Sequence, residues 1–403
     1  MTQTHTDIVV VGAGPTGALT ALGLAQRGRQ VRLVEAQPAP VASPRAMVYY
    51  WHVLEGLDRL GVLSDMDARG IRNTSFLQRV PETGRQAEIS LAPVADISPF
   101  AHNVHLGQHE VVRIALEHLA AFPNARVDFG TRATRVEATS RGATVHAQGP
   151  DGPVAHSASW VVAADGASSA IRRDLGLRLD GFTWPDRFVA TNLSYPFDTA
   201  GGLGNANMLL DPEHGCVIAR IDGSGLWRWT WSESAELPEE SVRERIGGRL
   251  AALGFGRHEP EIVAVAPYRM HQRHVDRMRT GRVLLIGDAA HVTNPTGGLG
   301  LTSGMYDLFS LLDPLDAVVT GREPDTALDH WAAQRLRLFK EHASPMASAS
   351  KHLVYDETDL AKREAAVRAA AEPGDRRVAL SRLSAMTVLR GDLPTHHREL
   401  AGT

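Results

Sequence analysis

The positions of apolar residues along the chain predict an α/β protein that opens with a β-α-β unit. The apolar run Asp7–Val11 predicts a buried strand, the spacing of Pro15–Arg27 predicts a helix, and Gln30–Glu35 predicts a second strand. This order implies two parallel strands joined by a right-handed crossover. Two later apolar runs, Ser159–Ala164 and Val283–Ile286, predict further buried strands.

Between Arg187 and Arg269 the pattern changes, because polar and apolar residues alternate within short segments. A period of two predicts strands with one buried face, an arrangement that antiparallel sheets accommodate. These segments are Val189–Tyr195, Asn207–Leu210, Val217–Ile221 and Leu226–Ser232. From Met305 onward the spacing is helical. The α/β segments therefore bracket a mostly β insertion, and we expect one nucleotide-binding domain assembled from discontinuous pieces.

Composition restricts the partners and the compartment. The 403 residues carry a net charge of -4, which argues against nucleic acid as a partner. A single cysteine, Cys216, rules out a disulfide within the chain and fits a reducing, cytoplasmic setting. The first residues lack the pattern of a signal peptide, and glycines interrupt the apolar stretch Ile8–Ala25, so we expect no membrane span. The expected protein is soluble and cytoplasmic, as a monomer or homodimer, with no metal site.

The first chemical motif follows the first predicted strand and has the pattern G-x-G-x-x-G. Its first glycine permits a tight turn, its second lets the backbone approach a pyrophosphate, and its third allows close packing of helix against strand. The helix N-terminus favours the anion, and an acidic residue at the end of the second strand can accept from ribose hydroxyls. A glycine-rich turn without a ligand is the alternative. The residues expected to contact an adenine dinucleotide are Gly12, Gly14, Pro15, Thr16, Gly17 and Glu35.

Two further motifs, far apart in the sequence, select among dinucleotides. Val161–Arg172 reads VVAADGASSAIR, with Asp165-Gly166 at the end of an apolar run. Gly281–Asp307 reads GRVLLIGDAAHVTNPTGGLGLTSGMYD, in which a strand, a carboxylate and a glycine-rich loop precede a helical pattern. Two shorter patches, Pro44-Arg45-Ala46 and Gly107–Val111, accompany them. With these motifs in this order, the chain resembles the class A flavoprotein monooxygenases, the para-hydroxybenzoate hydroxylase type of aromatic hydroxylase.

The resemblance implies a fold and a division into domains. The fold class is α/β, with a discontinuous Rossmann-like FAD-binding domain of the para-hydroxybenzoate hydroxylase type, an inserted, mostly antiparallel β-sheet substrate domain, and C-terminal helices. The FAD-binding domain would comprise residues 1–75, 100–182 and 276–340, and the substrate domain residues 76–99 and 183–275. Residues 341–403 would form a C-terminal helical segment, with too few residues for the thioredoxin-like domain of some relatives.

The resemblance also implies the cofactors and the residues that hold FAD. In this family NADPH or NADH reduces FAD, and O2 then forms a flavin C4a-hydroperoxide that hydroxylates a phenolic or N-heteroaromatic small molecule. Asp288 would hold ribityl hydroxyls, although a helix cap is the alternative, and Asp165 could be a turn former only. The further residues expected near FAD are Arg45, Gln108, Gly166, Gly287, Pro295, Gly298, Gly300 and Leu301.

The substrate contacts of the family do not transfer directly to this chain, because Leu299 and Thr302 stand where the family commonly has Gln and Asn. Pro295 matches a family proline whose carbonyl lies against the reacting hydroxyl, with loop stiffening as the alternative. In the segment 227–231, alternation places three tryptophans on one face of a strand, where core packing is the favoured interpretation. The candidate catalytic residues are Pro295, His52 and Tyr195, and the candidate substrate contacts are Tyr49, Arg220, Arg228 and Trp229. A solvated sheet face is the alternative for the two arginines, and a structural role is the alternative for Tyr49, His52 and Tyr195.

Three other functions remain in view. A flavin-dependent halogenase needs a catalytic lysine early in the chain, whereas no lysine precedes Lys340. An epoxidase or a Baeyer–Villiger oxygenase would use the same oxygenated flavin, so its product would distinguish it. A non-catalytic FAD-binding protein would retain flavin and never consume NAD(P)H.

Overall fold

The computed structural model describes residues 6–41, 46–371 and 376–393. Its strands are β1 (Thr6–Val11), β2 (Val31–Val34), β3 (Val48–Tyr49), β4 (Ile71–Asn73), β5 (Ser75–Arg79), β6 (Gln86–Ser90), β7 (Asn103–His105), β8 (Ala125–Asp128), β9 (Arg132–Ala138), β10 (Ala143–Gly149), β11 (Gly152–Ala163), β12 (Asp180–Ser194), β13 (Ala206–Leu209), β14 (Cys216–Arg220), β15 (Leu226–Ser234), β16 (Glu261–His274), β17 (Arg279–Thr280), β18 (Val283–Leu285) and β19 (His291–Val292).

The helices lie mostly in the first third and the last third of the chain. They are α1 (Pro15–Gln26), α2 (Trp51–Arg59), α3 (Leu63–Arg69), α4 (Gln108–Leu119), α5 (Ala170–Asp174), α6 (Val242–Ala252), α7 (Leu299–Val319), α8 (Thr326–Leu338), α9 (Ser344–Lys351), α10 (Leu360–Ala371) and α11 (Arg376–Leu383). None of these helices, in the part of the chain that the structure describes, is long and apolar enough to cross a membrane.

The first sheet contains the predicted β-α-β unit. Its central order is β17-β18-β11-β1-β2-β8, and β1 runs parallel to both β2 and β11. Helix α1 connects β1 to β2, and residues Ile8–Val10 are fully buried because helices or further strands cover both faces. This parallel core confirms the predicted α/β class and brings the C-terminal ends of β1, β11 and β18 to one edge.

The second sheet confirms the predicted antiparallel insertion. Its order is β19-β16-β12-β15-β14-β13-β5-β6, and its pairs are antiparallel except β13 with β5. The three tryptophans of β15, at positions 227, 229 and 231, share one buried cluster with Val242, Ile246 and Leu250 of α6. The interpretation of these tryptophans as core residues is therefore correct, and α6 closes that face of the sheet.

The opposite face of this sheet is called the open face below. Pairing of neighbouring strands fixes its members, since Asn192 lies opposite Arg228, Ala190 opposite Thr230, and Phe188 opposite Tyr268. Directly paired residues point to the same side of a sheet. A π-helical turn after α9 brings Tyr355 onto one end of this face, where its ring centroid lies 4.8 Å from that of Phe188.

Candidate functional site

The three sequence motifs meet at the edge of the first sheet. A Cβ atom on Gly12 would lie 2.5 Å from the carbonyl oxygen of Ala164, just before Asp165. A Cβ atom on Gly287 would lie 3.1 Å from Oγ1 of Thr16. The φ angle of Gly12 is 98°, which side chains rarely allow. The contacts bring the motifs of residues 12–17, 161–172 and 281–307 into one site, as their order in the sequence had suggested.

The turn from β1 to α1 has the form of a phosphate cradle. A Cβ atom on Gly17 would lie 1.9 Å from the carbonyl oxygen of Gly12, so glycine is required there for packing. A Cβ atom on Gly14 would have no atom of the described residues within 4 Å. Helix α1 begins at Pro15 without a side-chain cap in the described chain, so the first N–H groups of the helix are available for an anion.

Glu35 lies beside this cradle at the end of β2. Its Oε2 accepts a hydrogen bond from the Ala13 N–H at 2.7 Å, and its Oε1 accepts from the Gln37 N–H at 2.8 Å. Each carboxylate oxygen has a second acceptor site. The backbone bonds therefore fix the carboxylate next to the glycine turn, and it still has acceptor capacity for ribose hydroxyls.

The two carboxylate oxygens of Asp165 differ, because one accepts backbone hydrogen bonds and the other has no partner among the described residues. Its Oδ2 accepts from the Ala170 N–H at 2.8 Å and from the Ile171 N–H at 3.3 Å, so it caps α5. Its Oδ1 is buried and has no hydrogen-bond partner within the described residues. Burial raises the pKa of Asp165. A buried acceptor without a partner is costly, which fits a position that faces a bound polar ligand.

A buried network holds the loop that carries Asp288. The Gly287 N–H donates to Asp307 at 3.0 Å, and the ring of His291 lies 2.7 Å from the same carboxylate. Arg335 donates to the other oxygen at 3.0 Å. Burial opposes ionisation, but these partners hold the pKa of Asp307 below its usual range. The charged network fixes Gly287, and Asp288, which follows it, is exposed between buried neighbours.

Two consecutive glycines shape the start of α7. Gly297 and Gly298 have φ angles of 83° and 66°, and α7 begins at Leu299 without a side-chain cap in the described chain. The N–H groups of the first turn, which includes Gly300 and Leu301, have no intrahelical acceptor. The Tyr50 hydroxyl donates to the Gly297 carbonyl at 2.8 Å and braces this turn. The loop thus presents N–H donors and the positive end of a helix dipole, which stabilise developing negative charge.

Pro295 lies at the tip of this loop, exposed between two buried residues, Asn294 and Thr296. Its carbonyl oxygen accepts a hydrogen bond from the Gly298 N–H at 2.9 Å. One acceptor site on that oxygen remains for a substrate hydroxyl.

Gln108, one of the expected FAD contacts, lies next to Ala46, where the described residues resume after position 41. Gln108 begins α4, and its Oε1 accepts from the Ala46 N–H at 3.3 Å. Arg45 itself lies outside the described residues, so its expected contact with the nucleotide stays a prediction.

Arg228 is the candidate substrate contact that the structure places on the open face. Its Nε donates to Oδ1 of Asn192 at 2.6 Å, which fixes the guanidinium. Burial lowers the pKa of Arg228, and Tyr268 counteracts this effect. Tyr268 exposes 37% of its surface, yet burial raises its pKa to about 12. Arg228 is half-buried and Tyr268 is exposed on the open face, and the space that these side chains border is called the cleft below.

Four other candidates lie elsewhere, and we correct these expectations. Trp229 packs against the α6 side of the sheet with 1% of its surface exposed. Tyr195 is in the same cluster, and its hydroxyl donates to the Phe255 carbonyl. Arg220 pairs with Asp198 at 3.2 Å and stacks on Trp227, so it too faces the α6 side. Tyr49 is 1% exposed inside the core of the first sheet.

His52 is also placed differently from the expectation of a catalytic base. Its Nδ1 lies 2.9 Å from the Tyr306 hydroxyl, which in turn donates to the His52 carbonyl at 3.0 Å. Burial, and secondarily Arg390, lower the pKa of His52 to about 3. Its ring stacks on Tyr50 at a centroid distance of 5.7 Å. His52 therefore supports Tyr50, which holds Gly297, and stays neutral near pH 7.

This burial makes stability depend on pH. The unfolded chain protonates His52 near its ordinary pKa of 6.5, whereas the folded chain does so only near pH 3. The contribution of His52 to the free energy of unfolding is therefore complete above about pH 6.5 and is lost as the pH falls, with a slope of about 1.4 kcal/mol per pH unit.

Thermal denaturation between pH 7 and pH 5 should show a smaller decrease in Tm for His52→Gln than for the unaltered protein. His330→Gln, at an exposed position, is the matched control and should keep the original slope; an unchanged slope in His52→Gln would refute the assignment.

Comparison with known proteins gives the family of the chain. Residues 5–344 match the family described as FAD binding domain. The chain is 44% identical to 6-hydroxy-3-succinoylpyridine 3-monooxygenase HspB of Pseudomonas putida (strain DSM 28022 / S16), over 86% of this chain and 88% of that protein. It is 36% identical to para-nitrophenol 4-monooxygenase of Pseudomonas sp. (strain WBC-3), over 86% and 87% of the two chains. The crystal structure of p-nitrophenol 4-monooxygenase PnpA from Pseudomonas putida DLL-E4 superposes with a TM-score of 0.92 at 34% identity and covers 97% of this chain and 99% of that one.

The fold and the site thus define a flavoprotein of the para-hydroxybenzoate hydroxylase type, and the chain belongs to the FAD binding domain family. Within that family it is an FAD-dependent aromatic monooxygenase that uses O2 and a reduced nicotinamide co-substrate.

Some residues of the site have no signature in the sequence. Asn192 lies in an alternating strand, and nothing in its neighbourhood marks it as the partner of Arg228. Gln272 lies in a long strand. Tyr355 lies in the C-terminal segment, beyond the residues that match the family. Strand pairing and helix packing bring these residues to the site.

Proposed function

We propose that this enzyme hydroxylates a phenolic or N-heteroaromatic ring that carries an anionic group, and that Arg228 binds this anion. The single observation that carries the proposal is the position of Arg228 on the open face, beside Asn192 and away from the face that α6 covers. A guanidinium in a partly buried cleft favours a carboxylate, a phenolate or another planar anion.

The residues of the first sheet fit FAD. The cradle at Gly14 would take the pyrophosphate, Glu35 the adenosine ribose, and Asp288 the ribityl hydroxyls, while the first turn of α7 would face the pyrimidine end of the isoalloxazine. The buried Oδ1 of Asp165, for which the described residues provide no partner, gives this edge an acceptor that needs a donor. When bound, FAD supplies the redox chemistry, taking electrons from the reduced nicotinamide and activating O2.

The protein's own groups orient the ring and protect the reaction from water. Arg228, fixed by Asn192, would hold the anionic substituent at one end of the cleft. The second acceptor site of the Pro295 carbonyl oxygen would accept a hydrogen bond from a ring hydroxyl at the other end. Tyr355, with 5% of its surface exposed, and Phe188 enclose the end of the open face and exclude solvent.

The relatives support this substrate class through the chemistry of their named substrates. A 6-hydroxy-3-succinoylpyridine has a hydroxylated N-heteroaromatic ring and a carboxylate, and para-nitrophenol is an acidic phenol. The carboxylate of the first substrate is an anion separate from its ring hydroxyl, and the nitro group of the second is a neutral, planar group whose oxygens carry partial negative charge.

The discriminating experiment uses a panel of phenols and hydroxypyridines with and without an anionic substituent. We expect anionic members to accelerate NAD(P)H oxidation many-fold over the rate without substrate, and mass spectrometry to find one added oxygen on an intact ring. A cleaved or lactonised ring would instead indicate the epoxidase or Baeyer–Villiger alternative. If no aromatic compound changed the rate, hydroxylation would be refuted.

The remaining assignments are part of the same proposal. We assign FAD binding to residues 1–75, 100–182 and 276–340, and substrate binding to 76–99 and 183–275, with 341–403 as a C-terminal helical segment. The enzyme would act in the cytoplasm as a monomer or homodimer, without a nucleic acid partner, in keeping with its net charge of -4 and its single cysteine.

A further inference from the structure

Gln272 connects three parts of the molecule through one buried amide. It lies in β16 on the same side as Tyr268, and 4% of its surface is exposed. Its Oε1 accepts from Oγ1 of Thr293 at 2.9 Å and from the backbone and side-chain amides of Asn294, both at 3.2 Å. Its Nε2 donates to the carbonyl and the hydroxyl of Ser344, at 3.0 and 2.7 Å. The amide therefore uses both its donors and its acceptor.

These bonds hold the loop on both sides of the turn that carries Pro295. Asn294 is fully buried, and its Oδ1 accepts from the Thr296 N–H at 3.1 Å. Pro295 is the exposed residue between them. The oxygen of Gln272 thus fixes Asn294, Asn294 fixes Thr296, and Pro295 has little freedom to move relative to β16.

The same strand connects this loop to the open face. Strand β16 carries Tyr268 and Gln272 four residues apart, and it pairs with β12 along the cleft. On its other side β16 pairs with β19, directly before the loop. The hydrogen bond from Gln272 to Ser344 also connects β16 to the first residue of α9, the helix that leads to Tyr355. If the second sheet moved, the hydrogen bonds of Gln272 would therefore move the loop that carries Pro295 with it.

We infer that Gln272 is a positioning residue for hydroxylation, which sets the distance between the Pro295 carbonyl and the anion site at Arg228. The inference rests on the proposed function, since a ring held at both ends requires a fixed distance between its two contacts. An apolar side chain at position 272 would fill the same space, but it would leave the donors of Thr293 and Asn294 in the loop and the acceptor of Ser344 in α9 without Gln272 as their partner. Product formation per NAD(P)H consumed would decrease, because a displaced ring is reached less often by the activated oxygen.

The test compares Gln272→Leu with two variants on the two sides of the amide. Thr293→Val removes a loop-side donor, and Ser344→Ala removes only the helix-side hydroxyl while keeping the Ser344 carbonyl as an acceptor. For Gln272→Leu we expect a decrease of about tenfold in product per NAD(P)H, in line with a misplacement of reacting groups. Thr293→Val should give a smaller decrease, and Ser344→Ala should resemble the unaltered enzyme.

Three readouts distinguish positioning from a general loss of structure. Hydrogen exchange of the holoenzyme without substrate should increase in residues 293–301 of Gln272→Leu and stay unchanged in residues 12–17, with FAD affinity within about twofold. In the double variant Gln272→Leu with Thr293→Val, the second substitution should have no further effect, because both act through one hydrogen-bonded group.

The inference would be overturned if Gln272→Leu changed neither the product formed per NAD(P)H nor the hydrogen exchange of residues 293–301. It would also be overturned if the effects of Gln272→Leu and Thr293→Val on product per NAD(P)H were fully additive. If Gln272→Leu did not fold, Thr293→Val and Ser344→Ala would decide, since equal effects of the two would contradict loop positioning. Failure of the proposed function is recognised separately, because the unaltered enzyme would then hydroxylate no aromatic compound while the exchange data would still report on the loop.

Discussion

Replacement of Gly14 by valine is expected to leave the protein folded and to abolish most of its affinity for FAD. The backbone at Gly14 has φ -67° and ψ 176°, an extended conformation that β-branched residues adopt readily. A Cβ atom there would meet no atom within 4 Å in the part of the chain that the structure describes. The added side chain would instead occupy the space that a pyrophosphate needs. Loss of about 3 kcal/mol from hydrogen bonds to the charged pyrophosphate corresponds to an affinity at least about 100-fold lower.

Gly17 differs from Gly14, because protein atoms occupy the position of its Cβ. A Cβ atom on Gly17 would lie 1.9 Å from the carbonyl oxygen of Gly12, so Gly17→Val should lower Tm even without FAD. Gly248→Val, in α6 and with open space around its Cβ position, is the control for adding a valine away from the cradle. FAD titrations followed by flavin fluorescence, together with thermal denaturation of the apoprotein, separate the two effects. Normal FAD affinity in Gly14→Val would show that the cradle does not bind the pyrophosphate.

The second large effect is expected from Arg228→Leu, which should weaken binding of an anionic substrate by roughly 10- to 100-fold. A hydrogen bond to a charged group contributes about 1.5–3 kcal/mol, and a guanidinium enclosed in a cleft is little screened by solvent. FAD affinity should not change, because Arg228 lies in the inserted sheet. Arg228→Lys should recover only part of the loss, since an ammonium does not reproduce the planar contact.

The matched control is Arg220→Leu, on the neighbouring strand of the same sheet. Arg220 faces the α6 side and pairs with Asp198, so this variant should bind substrate normally. Titration of the oxidised holoenzyme, followed by the perturbation of flavin absorbance, gives the dissociation constants. A neutral analogue of the substrate should bind equally well to Arg228→Leu and to the unaltered enzyme. An equal loss for the neutral analogue would contradict an anion site at Arg228.

The FAD site could be predicted from the sequence because local motifs define it. The turn at Gly12–Gly17 and the carboxylate Glu35 belong to one β-α-β unit, whose geometry follows from the order of its elements. Parallel strands also bring the residues that follow them to one edge, so Asp165 and Gly287 lie near the cradle although they are far away in sequence.

The substrate side could not be predicted in the same way. Alternation divides the residues of a strand into two faces, but it does not say which face another element covers. Helix α6 covers the face with Trp229, Tyr195 and Arg220, and this leaves Arg228 in the cleft. The contacts of Gln272 depend on the register of β16 with β12 and β19, which no local pattern specifies.

The central claim is that the enzyme transfers one atom of O2 to an intact aromatic ring held by Arg228. Its most direct test is mass spectrometry of the product formed under 18O2, with the FAD-loaded enzyme, reduced nicotinamide and an anionic hydroxypyridine or phenol. We predict one labelled oxygen atom on an intact ring, and much less labelled product from Arg228→Leu at the same low substrate concentration. Product without the label, or the label in a cleaved or lactonised ring, would contradict the account.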